Sequence, residues 1–595
     1  MEEQNKSLSI ERSKHLSAAR QEVLGLPPEK MIGRILEESH PAALVHSFPE
    51  EDFYFLVHGI GPEEAGPLLK LASEKQWEYV LDHDTWHRDR IQMPSVTHWL
   101  NLLARANPQR LVRWAFHEKF VFFKLYLHHV IEVKVREHDQ DPSEFGKDFH
   151  TFDDVYYYRF LPVPPESTGE EGGMDQEKIV TFFLDLLADQ DHARFQTFLL
   201  ESDTMLPAET EEELFRQRNV RLAEKGFLPF DEAIGIYQPI QPEALSRQPQ
   251  KVLRQGTEPM MDLPVPQVSA DMLEEDNLFT RGLRAISSDD ILFQLQAEFA
   301  GLCNRLLSAD QLQVRDREQL RATVQKASGY IHIGLAILIS ETEGRYAWGR
   351  AAQILEQYPL IQLFRIGFGQ VLALKWRAEH WRRDCWFEGA GLPLSFWDED
   401  WVGVLGGLFL KKPLFFDSTA SGQRYREFRS ETDVEHTSGQ LDGIIAFDNL
   451  FSQMVTRIKF RPGQFLTYKK LILTLWARSY LGIDDAGEPA IDPSLSLTEF
   501  RKFFQDLFSG SSETESNQRK HIGESMKTAF FDWVSEQAGL DKEELSTTLG
   551  VFFEQMFLEM EDELAEVRSA DLDPRFISLF LVRSEPDSVG PDSSA

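Results

Sequence analysis

Cysteine is scarce in this sequence: the 595 residues include two, Cys303 and Cys385. Two cysteines allow at most one disulfide, which excludes the cross-linked framework on which small secreted domains depend. The N-terminal stretch 1–20 lacks the apolar run of a signal peptide. The most apolar stretches, 330–339 and 402–410, reach about half of the ~20 residues that a membrane span requires. These absences predict a soluble, cytoplasmic protein without membrane insertion.

Basic residues are also in short supply, with 62 Lys and Arg against 97 Asp and Glu, which gives a formal net charge of −35. A field of this sign repels phosphate groups, so a general affinity for nucleic acid is disfavoured and basic partners are favoured. Hydrophobic residues make up 42% of the chain, which supplies apolar material for large cores and excludes low-hydrophobicity disorder for most of it. The length predicts roughly two to four domains.

Prolines near the N-terminus mark the starts of short segments with helical apolar spacing. They are Pro28, Pro41, Pro49, Pro62, Pro94 and Pro108. Proline fits the first helical position, and the acids that follow several of these prolines face the positive end of the helix dipole. Ser73 and Gln76 form a capping-box pattern, and no strand pattern intervenes. We therefore predict short helices that bury their apolar faces by stacking on sequence neighbours.

The predicted fold class is all-α, with a superhelical (armadillo-like) N-terminal part of short stacked helices followed by a second helical domain. The predicted segments are an N-terminal extension at 1–24, a helical-repeat domain at 25–245, a linker at 246–275, a second helical domain at 276–583 and a disordered tail at 584–595. The linker is rich in proline and glutamine. Helical periodicity is expected to continue through 151–245 and to recur at about 317–340 and 345–383, and Ser496 with Glu499 forms a second capping box.

Familiar catalytic signatures are missing: the sequence has no phosphate loop, no H-E-x-x-H, no paired C-x-x-C and no G-x-S-x-G. Gly367-Phe-Gly369 and Gly389-Ala-Gly391 lack the third glycine of a dinucleotide fingerprint, so we interpret them as turn or helix-packing glycines. The sequence therefore assigns no catalytic, cofactor-binding or metal-ligating residue and implies no cofactor. Whether the protein is an enzyme stays open, with the balance against it.

Three groups of residues nevertheless suggest specific chemistry. His83 and His87, at i and i+4, would share a helix face near Asp82, Asp84 and Asp89, but without a third ligand we assign no metal.

The second group consists of five tryptophans within 376–401, namely Trp376, Trp381, Trp386, Trp397 and Trp401. They would line a cleft for a planar ligand or a peptide, or more commonly form a core. Cys385, within that region, is interpreted as a small buried hydrophobe.

The third group is a basic segment at 451–480. It holds bases and no acid, and the bases are Arg457, Lys459, Arg461, Lys469, Lys470 and Arg478. Aromatic residues interleave with them, a pattern typical of a single-stranded nucleic-acid platform. The following stretch, 481–595, holds 25 acids and 9 bases. We expect this acidic neighbour to neutralise the basic segment within the fold.

Residues 35–72 (ILEESHPAALVHSFPEEDFYFLVHGIGPEEAGPLLKLA) resemble the helical repeat in the cytosolic N-terminal domain of MgtE-type magnesium transporters and in the middle domain of flagellar motor switch proteins. The resemblance consists of helix starts at His40-Pro41, Phe48-Pro49 and Gly61-Pro62, and it implies fold rather than transport. Over its whole length the chain resembles a bacterial family of unknown function. The stretches that carry this resemblance are QWEYVLDHDTWHRDR at 76–90, NVRLAEKGFLPFDEAIGIYQPI at 219–240 and ADLDPRFISLFLVR at 570–583.

The function that these features favour is a protein–protein interaction or scaffold module with a protein partner of unknown identity. One alternative is a small-molecule-binding protein or enzyme with its site near the tryptophans at 376–401. Another is single-stranded nucleic-acid binding through 451–480, which the overall charge disfavours.

Overall fold

The computed structural model describes residues 15–583 apart from 163–169, 246, 248, 254–275, 313–316, 340–346, 420, 421, 423, 455–465, 484–492 and 509–519. This described part is mostly helical with a few short strands, so the all-α prediction is confirmed. Within it, none of the helices is both long and apolar enough to cross a membrane. The chain divides into two compact units, Met1–Phe368 and Gly369–Ala595.

The first unit begins with short helices and ends with long ones. Its helices are α1 (15–25), α2 (Pro28–Leu36), α3 (Pro41–Ser47), α4 (Glu50–Ile60), α5 (Gly66–Leu71), α6 (Glu74–Asp84), α7 (Met93–Ala106), α8 (Pro108–His117), α9 (Phe120–Val130), α10 (Glu170–Gln190), α11 (His192–Thr204), α12 (Pro207–Glu224), α13 (Phe230–Ala233), α14 (Pro242–Leu245), α15 (Leu278–Ala285), α16 (Asp289–Asp310), α17 (Arg317–Leu338), α18 (Ala347–Gln357) and the first part of α19 (Leu360–Asp384). Near neighbours in sequence pack together, as α4 does with α6 and α5 with α7. A superhelical arrangement of these helices stays a prediction.

Local chemistry determines where these helices begin. Proline lies in the first turn of α2, α3, α7 and α8, and Pro49 directly precedes α4. The Ser73 hydroxyl accepts from the Gln76 backbone N–H at 3.2 Å, and Gln76 Oε1 accepts from the Ser73 N–H at 2.8 Å, which confirms the capping box. Pro62 is an exception because it lies in a turn, and the next helix begins at Gly66.

Short strands correct two expectations. A ribbon of β1 (Trp86–His87) and β2 (Arg90–Ile91) interrupts the N-terminal helices, and a sheet of β3 (Ile131–Val135), β4 (His150–Thr151) and β5 (Tyr156–Phe160) interrupts the helical pattern expected beyond 151. The sheet order is β3-β5-β4, and both pairs are antiparallel. Ile131 and Val133 are buried while Glu132 and Lys134 between them are less so, the alternation typical of a strand.

Two long helices of the first unit approach each other through glycine. A Cβ at Gly334 in α17 would lie 2.2 Å from the carbonyl oxygen of Leu363 in α19, and a Cβ at Gly367 would lie 2.0 Å from that of Tyr330. Gly367 therefore packs helices, as predicted, and Gly391 has φ +66 in a turn. Pro359 separates α18 from α19, so the helical stretch expected over 345–383 is two helices.

The second unit is built around an aromatic core. It contains the end of α19, then α20 (Trp386–Gly389), α21 (Asp398–Phe409), α22 (Glu431–Met454), α23 (Tyr468–Tyr480), α24 (Leu497–Leu507), α25 (Glu524–Ala538) and α26 (Lys542–Leu564), with the pairs β6 (Phe415–Phe416) with β7 (Tyr425–Arg426) and β8 (Leu495–Ser496) with β9 (Val582–Arg583). The predicted capping box at Ser496 is confirmed, since its backbone N–H donates to Glu499 Oε2 at 2.7 Å and its hydroxyl accepts from the Glu499 N–H at 3.2 Å. Phe447 and Phe553 join α22 to α26 with their ring centroids 5.6 Å apart.

The predicted segment boundaries fall largely on residues that the structure does not describe. These include most of the extension at 1–24, most of the linker at 246–275 and the tail beyond 583. Among the described linker residues, the Lys251 N–H donates to the Gln357 carbonyl at 2.8 Å, and its ammonium pairs with Glu298 at 2.8 Å. The domain boundaries themselves stay predictions.

Candidate functional site

The histidine pair considered for metal binding is separated by the end of a helix. α6 ends at Asp84, so His83 lies in its last turn, whereas His87 lies on β1 and is exposed. The expected shared helix face is therefore wrong, because the chain leaves the helix at Thr85. Among the described residues, His, Cys, Asp and Glu form no group of three or more that is placed to hold a metal ion.

Asp84 is instead the centre of a mostly buried aromatic cluster. The Tyr54 hydroxyl donates to Asp84 Oδ1 at 2.7 Å, and Trp99 Nε1 donates to Oδ2 at 3.0 Å. His58 Nε2 lies 2.9 Å from the same Oδ2 without the alignment of a hydrogen bond. Because the four side chains come from α4, α6 and α7, this cluster fixes three of the short helices to one another.

His83 belongs to the same region but packs as an apolar ring. Its centroid lies 4.4 Å from that of Tyr79 and 4.8 Å from that of Phe227. Its buried Nε2 has no hydrogen-bond partner among the described residues. Burial, assisted by the nearby positive charge of Arg218, lowers the pKa of His83 to about 3. The imidazole is therefore neutral at physiological pH.

The tryptophans at 376–401 divide between a core and the surface. Trp397 and Trp401 are 0% and 4% exposed, and Trp401 stacks on Tyr468 with centroids 4.4 Å apart and planes 10° apart. Trp381 meets Trp397 edge to face at 5.9 Å. These side chains fill a core, the more common of the two interpretations. Trp376, at 49% exposure, faces outward.

Both cysteines are buried thiols. Burial raises the pKa of Cys303 and of Cys385. Cys385 Sγ donates to the carbonyl oxygen of Arg382 at 3.5 Å. Neither sulfur has the low pKa of a reactive cysteine, so Cys385 behaves as the small buried hydrophobe that we predicted.

The basic segment meets acidic partners at Lys469. Arg457, Lys459 and Arg461 lie outside the described residues. Lys469 Nζ donates to both carboxylate oxygens of Glu559, at 2.9 and 2.7 Å, and lies 3.1 Å from Asp398. Tyr468 and Trp476 are buried, so neither ring offers a stacking surface to a base. At Lys469 the acidic neighbour acts as predicted.

An open groove lies beside the tryptophan core, and we call it the Trp376 groove. It has a volume of about 610 Å³, and it is lined by Glu379, Arg382, Arg383, Glu388 and Phe409. Trp376 lies one turn before Glu379 on α19, and Leu410, at 42% exposure, directly follows Phe409. Trp376 and Leu410 are therefore exposed apolar side chains that lie within one helical turn of lining residues in sequence.

One lysine and one arginine, Lys375 and Arg382, connect the walls of the groove. Lys375 Nζ donates to the carbonyl oxygens of Leu410 and Lys411 at 2.6 and 3.3 Å, which satisfies backbone acceptors at the end of α21. Arg382 places its guanidinium carbon 5.0 Å from the Phe409 ring centroid and donates to Glu388 at 2.6 Å. The groove is therefore preformed by contacts between α19, α20 and α21.

The comparison with family models identifies the relatives of the chain. A model described as a family of unknown function, DUF6178, matches residues 9–583. The chain belongs to this family. No curated protein and no solved structure matches it significantly. The DUF6178 match confirms the whole-length resemblance to a family of unknown function, whereas its bacterial origin and the resemblance of 35–72 to MgtE-type transporters stay predictions.

In this DUF6178 chain, the sequence indicated the region of the groove but not its geometry. The signal available was the spacing of Trp376, Glu379 and Arg383, which places them on one face of a helix. The second wall includes Phe409, the last residue of a different helix. Which tryptophan stays outside the core depends on that tertiary packing, so sequence spacing alone did not single out Trp376.

Proposed function

We propose that the protein is an interaction module that binds a protein partner through the Trp376 groove. The observation that supports this proposal is the combination of a preformed open groove with exposed Trp376 and Leu410, which lie within one helical turn of its lining residues in sequence. Tryptophan and arginine are the residue types most enriched among side chains that dominate binding energy at protein interfaces. A small-molecule site normally encloses most of its ligand, whereas this groove opens widely to solvent.

Site-specific photo-crosslinking in cells of the source organism tests the proposal. A photoreactive residue is placed at Trp376 or at Leu410, and the matched control position is Val551 on α26, which is 79% exposed in the same unit. We expect both groove positions to yield a covalent adduct with one discrete protein, and Val551 to yield none.

The adduct should also depend on the groove itself. Arg383→Glu, introduced together with the photoreactive residue at Leu410, should reduce the adduct because it alters a lining side chain without touching the core. Adducts of equal yield from Val551, or no discrete adduct from either groove position, would contradict partner binding at this site.

A further inference from the structure

We infer that the Trp376 groove recognises an acidic segment of its partner that carries a large hydrophobic anchor side chain. This inference rests on the proposed function, because it specifies the partner that the same groove would bind. It depends on three features of the described residues: a local excess of basic residues, cations that lack partners, and exposed apolar side chains beside those cations.

The local charge around the groove opposes that of the whole chain. The segments 375–388 and 409–412 contain more bases than acids, in a chain whose net charge is −35. The bases are Lys375, Arg377, Arg382, Arg383, Lys411 and Lys412, and the acids are Glu379, Asp384 and Glu388. The residues that line the groove hold two bases and two acids, but Arg382 pairs with Glu388 and Glu379 lies 3.7 Å from Lys375. Arg383 is the remaining charge of the lining, so an acidic segment is the occupant that complements it.

Most of these cations are already engaged within the fold. Lys375 bonds to carbonyl oxygens, Arg377 pairs with Asp442, and Arg382 pairs with Glu388. Arg383 and Lys411 are exposed, and among the described residues neither side chain has an ion-pair or hydrogen-bond partner. A guanidinium without a partner offers a bidentate site to a carboxylate, and such charge-assisted pairs are stronger than neutral hydrogen bonds.

The apolar part of the groove determines the second feature of the partner. Phe409 lines the groove, and exposed Trp376 and Leu410 lie within one helical turn of lining residues in sequence, so a purely anionic chain would leave these apolar side chains in water. A leucine, methionine or aromatic side chain placed between the acids would cover them. Acidic residues flanking a hydrophobic anchor therefore match the groove better than either feature alone.

The overall negative charge of the protein does not prevent this recognition. At physiological ionic strength the screening length is about 8 Å, so charges farther than this from the groove act weakly on a bound segment. Contact with Arg383 and Lys411 then decides which segment binds. The long-range field slows the approach of an acidic partner and leaves the bound contacts intact.

Fluorescence anisotropy on the full-length chain tests the inference. The probes are four short labelled peptides: an acidic peptide with central Leu and Phe, the same peptide with Ala in place of both anchors, its Asn/Gln analogue, and its Lys analogue. We expect the first to bind and each of the others to bind about tenfold or more weakly, because each lacks one of the matched features.

Variants assign the binding to the groove. The double variant Arg383→Glu/Lys411→Glu should weaken the acidic anchored peptide about tenfold, because two contacts become repulsive. Trp376→Ala should weaken it by a similar factor. The matched controls are Arg568→Glu, an exposed arginine of the same unit whose side chain has no partner among the described residues, and Val551→Ala. Both controls should leave the affinity unchanged.

Each contrary outcome has a separate meaning. Equal binding of the Asn/Gln or Lys peptide would overturn the charge assignment, and tighter binding of a small aromatic carboxylate or a single-stranded oligonucleotide would overturn the peptide assignment. If crosslinking at Trp376 yields a partner but the acidic peptide does not bind, this inference fails and the proposed function stands. If crosslinking also yields none, both fail.

Discussion

Asp82, Arg218 and Arg221 are charged residues of the first unit that interact with one another in a largely buried region. Asp82 accepts two hydrogen bonds from the Arg221 guanidinium, at 2.7 and 2.8 Å, and its backbone carbonyl accepts one from Arg218 at 2.6 Å. Burial raises the pKa of Asp82 although Arg221 opposes the rise, and burial lowers the pKa of Arg218 to about 10. These charges remain buried because they satisfy one another.

Arg221→Met should therefore destabilise the first unit markedly. The substitution keeps much of the side-chain volume but leaves the Asp82 carboxylate buried without its bidentate partner. We expect the free energy of unfolding to fall by about 2–3 kcal/mol, the lower part of the range for broken buried pairs, because the Arg221 side chain is partly exposed. Chemical denaturation followed by circular dichroism measures the change.

The control for this prediction is Arg216→Met on the same helix. Arg216 pairs with Glu212, and both side chains are mostly exposed. Surface pairs of this kind contribute little, so the control should change stability by about 0.5 kcal/mol or less. Equal losses from the two variants would show that the Arg221–Asp82 pair has no special importance.

His83 provides a pH-dependent test in the same region. Its folded-state pKa of about 3 lies below the ordinary value of 6.5, so the unfolded chain binds a proton that the folded chain does not as the pH falls below 6.5. Folding stability should consequently decrease between pH 7 and pH 5, and the His83 contribution to that decrease is about 2 kcal/mol. His83→Phe keeps an aromatic ring among Tyr79 and Phe227 and removes the titrating group.

Denaturation curves of the wild type and the variant at pH 7 and pH 5 measure this contribution. His83→Phe should lose less stability on acidification than the wild type, whereas His87→Gln, at an exposed position in β1, should lose as much. If His83→Phe and the wild type lose the same stability between the two pH values, His83 is not held neutral by the fold.

Helical elements differ in how far the sequence determines them. Capping boxes at Ser73 and Ser496 were predictable because the cap and its partner lie three residues apart. The sheet β3-β5-β4 was missed because its strands pair across an intervening loop, and the alternation in β3 covers five residues. Such a short alternation is easily overlooked between helical segments.

The glycine crossing and the Trp376 groove depend on contacts that are more distant in sequence. Gly334 packs against Leu363 of another helix. The Phe409 ring contacts the Arg382 guanidinium, although α20 lies between the two residues in sequence. Sequence spacing defines one helix face but not the face that opposes it. The sequence therefore predicted many of the helix starts and the tryptophan region, whereas the strands were missed and the opposing wall of the groove required the tertiary structure.

Gly334→Ala tests the crossing of α17 and α19. The added methyl group would lie 2.2 Å from a backbone oxygen of Leu363, so one helix has to move. We expect a loss of about 1–3 kcal/mol in the free energy of unfolding, the usual cost of overpacking. Gly349→Ala in α18 is the matched control, because its Cβ would meet nothing within 4 Å. The control should be neutral or slightly stabilising through helix propensity. Equal behaviour of the two variants would exclude a close helix crossing.

The charged residues behind the net charge of −35 are unevenly distributed along the chain. Positive charge concentrates at 451–480 and around the Trp376 groove, and these two places differ in availability. Lys469 is neutralised by Glu559 and Asp398, whereas Arg383 is exposed and unpaired among the described residues. Arg383 is therefore available to a partner, whereas Lys469 is not.

This difference predicts weak binding to nucleic acid. Filter binding of single-stranded RNA at low salt should give an affinity weaker than micromolar, because Lys469 is engaged, Tyr468 and Trp476 are buried, and the overall field repels phosphate. Glu559→Gln, which weakens the Lys469 pair, should not create binding, since the rings of Tyr468 and Trp476 beside it in sequence stay buried. A submicromolar affinity that falls steeply with salt and disappears in the triple variant Arg457→Ser/Lys459→Ser/Arg461→Ser would establish the basic segment as an RNA-binding site. It would also show that the acidic neighbour does not neutralise that segment.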